Sequence, residues 1–164
     1  MMKKRFIPFI LTILLCSCHR DRIKTGLEGK LLPSFSLTLA DSVTTFNTDK
    51  IAEGKSFVIF YYQPYCPYCR AQTEEIIKNI NKFNRSDIYM ISSWPYQDVQ
   101  KFAAHYNLSK YPNITVISDR KNELKTYFQS TGVPFLAFYD KQRKLKEADL
   151  GKQDIDILES NLSE

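Results

Sequence analysis

Glycine and histidine are scarce in this chain, which holds five of the first and two of the second among 164 residues. So little glycine, beside seven prolines, excludes a collagen-like or low-complexity polymer. His19 and His105 share no ligand-like spacing, so a zinc site would lack half of its usual donor set and no metal is expected. No tract of Lys and Arg is dense enough to follow a phosphate backbone, and no apolar run approaches the roughly 20 residues that cross a bilayer as a helix. What is present is 43% hydrophobic and 25% charged, enough to collapse around one core. The length excludes two full-sized domains.

The first five residues carry Lys3, Lys4 and Arg5 without an acid, and residues 6–15 are apolar except for Thr12. A basic head followed by such a run has the layout of a secretory signal. Ten helical residues reach roughly 15 Å, half of a hydrocarbon core of about 30 Å. The following Leu15-Cys16-Ser17-Cys18 resembles the lipobox of bacterial lipoproteins, although Cys16 stands where Ala, Ser or Thr is commoner. That resemblance implies removal of residues 1–17 and acylation of Cys18. Two or three acyl chains, at about 0.8 kcal/mol per buried methylene, anchor firmly. An ordinary cleaved signal and an uncleaved anchor are the alternatives.

Loss of residues 1–17 leaves 20 basic against 18 acidic residues, so the formal charge falls from +5 to +2 and a nucleic-acid partner loses its support. It also leaves Cys66 and Cys69 as the remaining thiols of an exported protein, in an oxidising compartment. Residues 18–33, polar and basic with Gly26, Gly29 and Pro33, suit a tether that lifts a domain (34–164) off a membrane. The expected place is the cell envelope, on the periplasmic side of a membrane.

Along the domain, residues 35–39 alternate as a hairpin arm or edge strand, with Asp41-Ser42 as its turn. Residues 56–62 (SFVIFYY) form an unbroken β-branched and aromatic run, too short for a helix and typical of a strand buried on both faces. From Pro67 to about Asn84, Ile76, Ile77, Ile80 and Phe83 recur at helical spacing. Residues 88–91 and 113–118 (NITVIS) read as further strands. Val99, Phe102, Ala103 and Tyr106 mark a helix opened by Pro95, and Leu124, Tyr127 and Phe128 mark another, stopped by Thr131-Gly132. Residues 135–139 and 144–150 form a hairpin whose second strand is polar enough for an edge. Ile155, Leu158 and Leu162 end the chain as an amphipathic helix with Asp154 at its N-cap. This order demands an α/β domain with helices on both faces of a central mixed sheet.

Cys66-Pro67-Tyr68-Cys69 stands between the buried strand and the helix after it. Unpaired N–H groups and the dipole at a helix N-terminus stabilise an anion, and a Cys placed there has its pKa lowered from about 8.5 into roughly 3.5 to 7.5. Cys66 is the expected nucleophile. Cys69, on the first helical turn, can attack a mixed disulfide and release the client, closing a Cys66–Cys69 disulfide. Pro67 begins the helix without sacrificing a bond, and Tyr68 offers bulk and a phenol at the rim. A structural disulfide and a half-built zinc site are the alternatives. A peroxidase would need a hydroxyl residue where Gln63 stands.

The segments FVIFYYQPYCPYC, CRAQ and TGVPFLAFYD resemble exported thioredoxin-like thiol-disulfide oxidoreductases of the TlpA or ResA kind, over roughly residues 28–164. The resemblance implies a thioredoxin-like fold and a cis Val133–Pro134 peptide facing the two Cys, with the Val133 backbone pairing with an extended client. It implies no diffusible cofactor. Its expected partners are thiols or disulfides of other exported proteins, a membrane-embedded electron donor, and apocytochromes awaiting haem attachment. Phe60 stands where thioredoxin has a buried acid, Tyr65 replaces the usual Trp, and Gln72 and Glu74 replace a Glu and a Pro of many relatives. The Pro-Tyr pair is also that of glutaredoxins, but an exported compartment need not hold glutathione. The rival from another class is a redox-silent binding module that keeps the pair as a structural disulfide and presents its Val133 edge to a partner.

Overall fold

The computed structural model describes residues 22–163; the expected signal, Cys18 and His19 lie outside the described residues. Its strands are β1 (Arg22–Ile23), β2 (Ser36–Leu39), β3 (Thr45–Asn47), β4 (Ser56–Tyr61), β5 (Ser86–Ser92), β6 (Ile114–Ser118), β7 (Phe135–Tyr139) and β8 (Leu145–Leu150). Its α-helices are α1 (Pro67–Lys78), α2 (Tyr96–His105), α3 (Glu123–Phe128) and α4 (Ile155–Leu162). The strands form one sheet in the order β1-β8-β7-β4-β5-β6-β2-β3. The pairs β4–β5 and β5–β6 are parallel and the others antiparallel, so the sheet is mixed.

All six residues of β4 are buried, and the strand's period of two divides them between two cores. Val58 and Phe60, with Tyr62 beyond the strand, meet Ile76 of α1, Phe102 of α2 and Leu158 of α4. Phe57, Ile59 and Tyr61 meet Leu124 and Phe128 of α3 and Leu32, Leu37 and Ile51 of the N-terminal segment. An alternation of this kind, apolar at every position, requires cover on both faces. The layered α/β expectation is met.

The buried positions of α1, at Cys69, Gln72, Thr73 and Ile76, recur at intervals of three and four, as a helix packed along one stripe requires. The helix ends at Lys78 rather than near Asn84. The Asn79 amide donates to the Glu75 carbonyl at 2.9 Å, its backbone N–H is shared between Glu75 and Ile76, and the chain tightens into a 3-10 turn over Ile80–Phe83. The third helix also stops early. Gln129 takes the left-handed conformation (φ 51°) and the Ser130 N–H reaches back to the Lys125 carbonyl, so the stop precedes Thr131-Gly132. Pro95 occupies the N-cap of α2, and Asp154 that of α4 without a side-chain cap bond.

Two further strands lie in the N-terminal segment. β3 closes a hairpin with β2, and β1 pairs with β8, so β8 is not an edge. From Arg22 onward the segment expected as a tether lies on the domain: a bridge joins Leu31 to Lys144, backbone bonds join Gly29 and Lys30 to Leu145, and Leu32 is buried. A backbone segment that finds both ladder partners and an apolar pocket is more stable docked than free.

At the end of the sheet away from the Cys pair, the Ser56 and Ser86 hydroxyls meet at 2.9 Å, and both bond the Leu162 carbonyl in the last turn of α4. This satisfies an acceptor that a helix C-terminus otherwise leaves open. At the other end buried Asp119 caps α3, accepting the Glu123 and Leu124 N–H groups at 2.8 and 3.0 Å and the Tyr61 hydroxyl at 3.2 Å. Burial pushes its carboxyl above the ordinary range despite those donors.

Candidate active site

The chain leaves β4 at its C-terminal end, crosses Gln63, Pro64 and Tyr65, and enters α1 with Cys66 as N-cap and Pro67 at the first position. The Cys66 N–H donates to the Gln63 carbonyl at 3.1 Å, and its own carbonyl accepts from Arg70 at 3.1 Å. Its sulfur accepts the Cys69 N–H at 3.3 Å. A sulfur at the N-cap therefore has an amide donor and the positive end of a twelve-residue helix aimed at it. Negative charge that develops there during exchange is stabilised. The Cys66 thiol points at the Val133 carbonyl 3.9 Å away, and the Val133–Pro134 peptide is cis.

Cys69 differs from Cys66 in its surroundings. Both are free thiols, but Cys66 is half-buried and Cys69 has no exposed surface. It shares its core with Tyr62, Phe60 and Phe102. Burial pushes the Cys69 thiol far up, with the nearby Cys66 adding to the shift. Iodoacetamide is therefore expected to modify Cys66 in the folded dithiol protein and to spare Cys69 from pH 7 to pH 9, because higher pH must first overcome burial before a Cys69 thiolate forms. Both sulfurs are modified once the chain is unfolded. Mass spectrometry of the labelled peptides reads the difference, and equal labelling in the native protein would contradict the asymmetry.

Of the four tyrosines around the motif, Tyr61 and Tyr62 are core residues, while Tyr65 and Tyr68 are exposed by 55% and 65%. Tyr65 is fixed from three sides. Its hydroxyl donates to Asp98 at 2.7 Å, its ring meets Trp94 edge-on at 5.1 Å, and the Arg70 guanidinium stands 5.8 Å from its centroid. Arg70 Nε also donates to the Pro64 carbonyl at 2.8 Å and holds the loop before Cys66. Arg70 lies in the CRAQ segment but carries no expected role, and Asp98 belongs to no motif. They wall a cleft of about 240 Å³ between the start of α1 and the face of α2, which Lys101 and His105 also line.

Phe60 is fully buried six residues before Cys66, and its ring lies 5.8 Å from that of Tyr62. The position can supply no carboxylate. Gln72, also buried, accepts the Gln153 N–H at 2.7 Å and ties α1 to the approach of α4. Glu74 is on the outer face and accepts the Tyr106 hydroxyl at 3.1 Å.

The family model described as the AhpC/TSA family matches residues 29–148. Among curated proteins none matches the chain. Solved structures are similar in fold. A secreted disulfide oxidoreductase of Mycobacterium tuberculosis, described as homologous to DsbE of E. coli, superposes with a TM-score of 0.67 at 19% identity over 79% of this chain and 94% of its own. The thioredoxin domain of a Bacteroides vulgatus thiol-disulfide oxidoreductase gives 0.66 at 18% identity over 82% and 97%. The peroxidoxin BcpB of M. tuberculosis gives 0.69 at 16% identity over 83% and 96%.

Proposed function

The chain belongs to the AhpC/TSA family of thioredoxin-like oxidoreductases, and from that premise we propose that it is an exported, lipid-anchored thiol-disulfide oxidoreductase that works through Cys66 and Cys69. The observation that carries this reading is the inequality of the two sulfurs: one at a helix N-cap with an amide donor, the other one turn on and buried. In the reducing direction the Cys66 thiolate attacks one sulfur of a client disulfide, and the other client sulfur leaves as a thiolate. The Cys69 thiolate then attacks Cys66 in the mixed disulfide, and the second client sulfur leaves. Two electrons have passed to the client, and the protein holds a Cys66–Cys69 disulfide. The reverse sequence oxidises a client dithiol.

Val133 and Pro134 are the proposed client-positioning residues, since the Val133 carbonyl already lies beside the attacking sulfur. A client strand lying there would bring its disulfide to Cys66. Clients on this reading are cysteines of other exported proteins, apocytochromes among them, with a membrane-embedded dithiol protein to restore the reduced state. Attachment on this reading is through acyl chains on Cys18; among the described residues no helix is long and apolar enough to cross a membrane. Gln63 leaves no hydroxyl three residues before Cys66, which disfavours peroxide as the oxidant.

Equilibrating the purified protein against defined dithiothreitol ratios tests the reading. It is expected to cycle between dithiol and disulfide with a two-electron potential inside the range of about −270 to −120 mV, the lower end marking a reductant and the upper an oxidase. A protein whose Cys66 and Cys69 do not exchange with dithiothreitol or any protein disulfide is instead a binding module with a structural pair.

A further inference from the structure

Strand direction fixes where the chain leaves the domain. β4 runs toward the Cys pair and ends at Tyr61; antiparallel β7 begins beside it, with Phe135 opposite Tyr61. β8 returns to the same end, with Leu150 opposite Phe135. β1 then runs against β8, with Arg22 opposite Asp149 and Ile23 opposite Ala148. The N-terminal end of β1, at Arg22, therefore lies at the end of the sheet that carries Cys66. Arg22 is held there by an ion pair with Glu147 at 3.3 Å in addition to the strand pairing.

Because residues 22–33 dock on the domain, the connector between the acylation site and the first strand shrinks to the steps from Cys18 to Arg22. Four residues reach at most about 14 Å, whatever their conformation. β1 and β4 are three strand spacings apart, about 14 Å. Together these lengths keep the Cys66 end of β4 within about 30 Å of residue 18, the connector itself being cut to about 14 Å from the roughly 50 Å that a free tether of residues 18–33 spans. Exposed Tyr65 and Tyr68 stand at this same end, and tyrosine is a side chain that settles at the headgroup level of a bilayer. At the opposite pole Lys55 is paired with Asp87, and Lys82 with Asp156 and Glu159, but Arg85 and Lys141 line the same face, so attraction to anionic lipid does not select the Cys66 pole and the connector carries the orientation.

We propose that this short connector holds the Cys66 pole of the domain against the bilayer that carries the acyl chains, so that Cys66 exchanges with thiols and disulfides presented at the membrane surface in preference to clients free in the surrounding water. The proposal rests on the lipid-anchor reading above and adds an orientation to it. Confinement near the surface raises the effective concentration of surface-displayed partners without any new contact.

The acylated full-length protein in lipid vesicles provides the test. A dye is placed on Cys66 in a Cys69→Ser background, or at the opposite pole by Lys141→Cys in a Cys66→Ser, Cys69→Ser background, and a nitroxide on the lipid headgroup serves as a short-range quencher. The expected result is quenching about threefold or more stronger at position 66 than at 141, and near equality after insertion of about twenty Gly/Ser residues between Asp21 and Arg22. Equal or reversed quenching in the protein without the insertion, with the acyl mass present on residue 18, overturns the orientation and leaves the anchor intact. Absence of that mass overturns the anchor and the orientation together.

Discussion

The Cys69→Ser protein is expected to accumulate as a stable mixed disulfide through Cys66, with multiple-turnover exchange reduced by roughly 10³-fold or more. The cause is geometric. Once Cys66 is bonded to a client, the sulfur placed to displace that client is one helical turn away, buried against Tyr62 and Phe102 and out of reach of bulk thiols. Serine at 69 leaves the fold's volume almost unchanged but cannot attack, so the first step proceeds and the second stops. Cys66→Ser should be as inactive and form no adduct, because Cys69 has no exposed surface to meet a client. Non-reducing gels and intact mass read both outcomes. Undiminished turnover by Cys69→Ser would remove the two-sulfur mechanism, and adducts through Cys69 in Cys66→Ser would reverse the assignment of roles.

The second large effect is on stability and lies far from the chemistry. Phe57 is 1% exposed, stacks on Tyr139 at 4.7 Å with ring planes 3° apart, and meets Tyr89 edge-on at 5.6 Å. Truncation by Phe57→Ala is expected to cost about 3–5 kcal/mol from the lost burial and the cavity left behind. Against a total of roughly 5–15 kcal/mol for a domain, that is a large share, and the melting temperature should fall by about 10 °C or more. Urea titration at 20 °C and a thermal scan measure it. Because Phe57 is at the start of β4 and Cys66 beyond its end, the selective labelling of Cys66 should survive in the fraction that remains folded. A loss below about 1 kcal/mol would mean that the aromatic stack is not holding β4, β5 and β7 together.

These outcomes depend on features of unequal visibility in the sequence. β4 and α1 were legible because each is long enough for its period to show: an unbroken apolar run in one, recurring apolar positions in the other. The Cys pair was legible because it sits at the junction of the two. β1 and β3 were not, since strands of two and three residues contain no measurable alternation, and they form because β8 and β2 offer them open ladders. The early stop of α3 was hidden for a different reason. Its left-handed terminator is Gln129 rather than glycine, and Gly132, which marks helix ends so often, packs against the Leu150 side chain instead. Around the site, Tyr65 was visible as an aromatic neighbour, but its partners Asp98 and Arg70 come together through the placement of α2 beside α1. Contacts between elements distant in sequence leave no local pattern to read. Asp119 belongs to the same class through Tyr61, which joins it from another strand, whereas its bonds to the first N–H groups of α3 span four and five residues.

The rims of the sheet have one more consequence. β3 is three residues long and β1 two, so neither margin offers another molecule a long row of unpaired amides and carbonyls. On the β8 side this protection depends on a connection through Gly26 and Gly29 that crosses exposed positions. Proteolytic clipping between Ile23 and Ser36 would release that cover, uncover a six-residue ladder, and give crowded copies a template for strand-by-strand polymerisation.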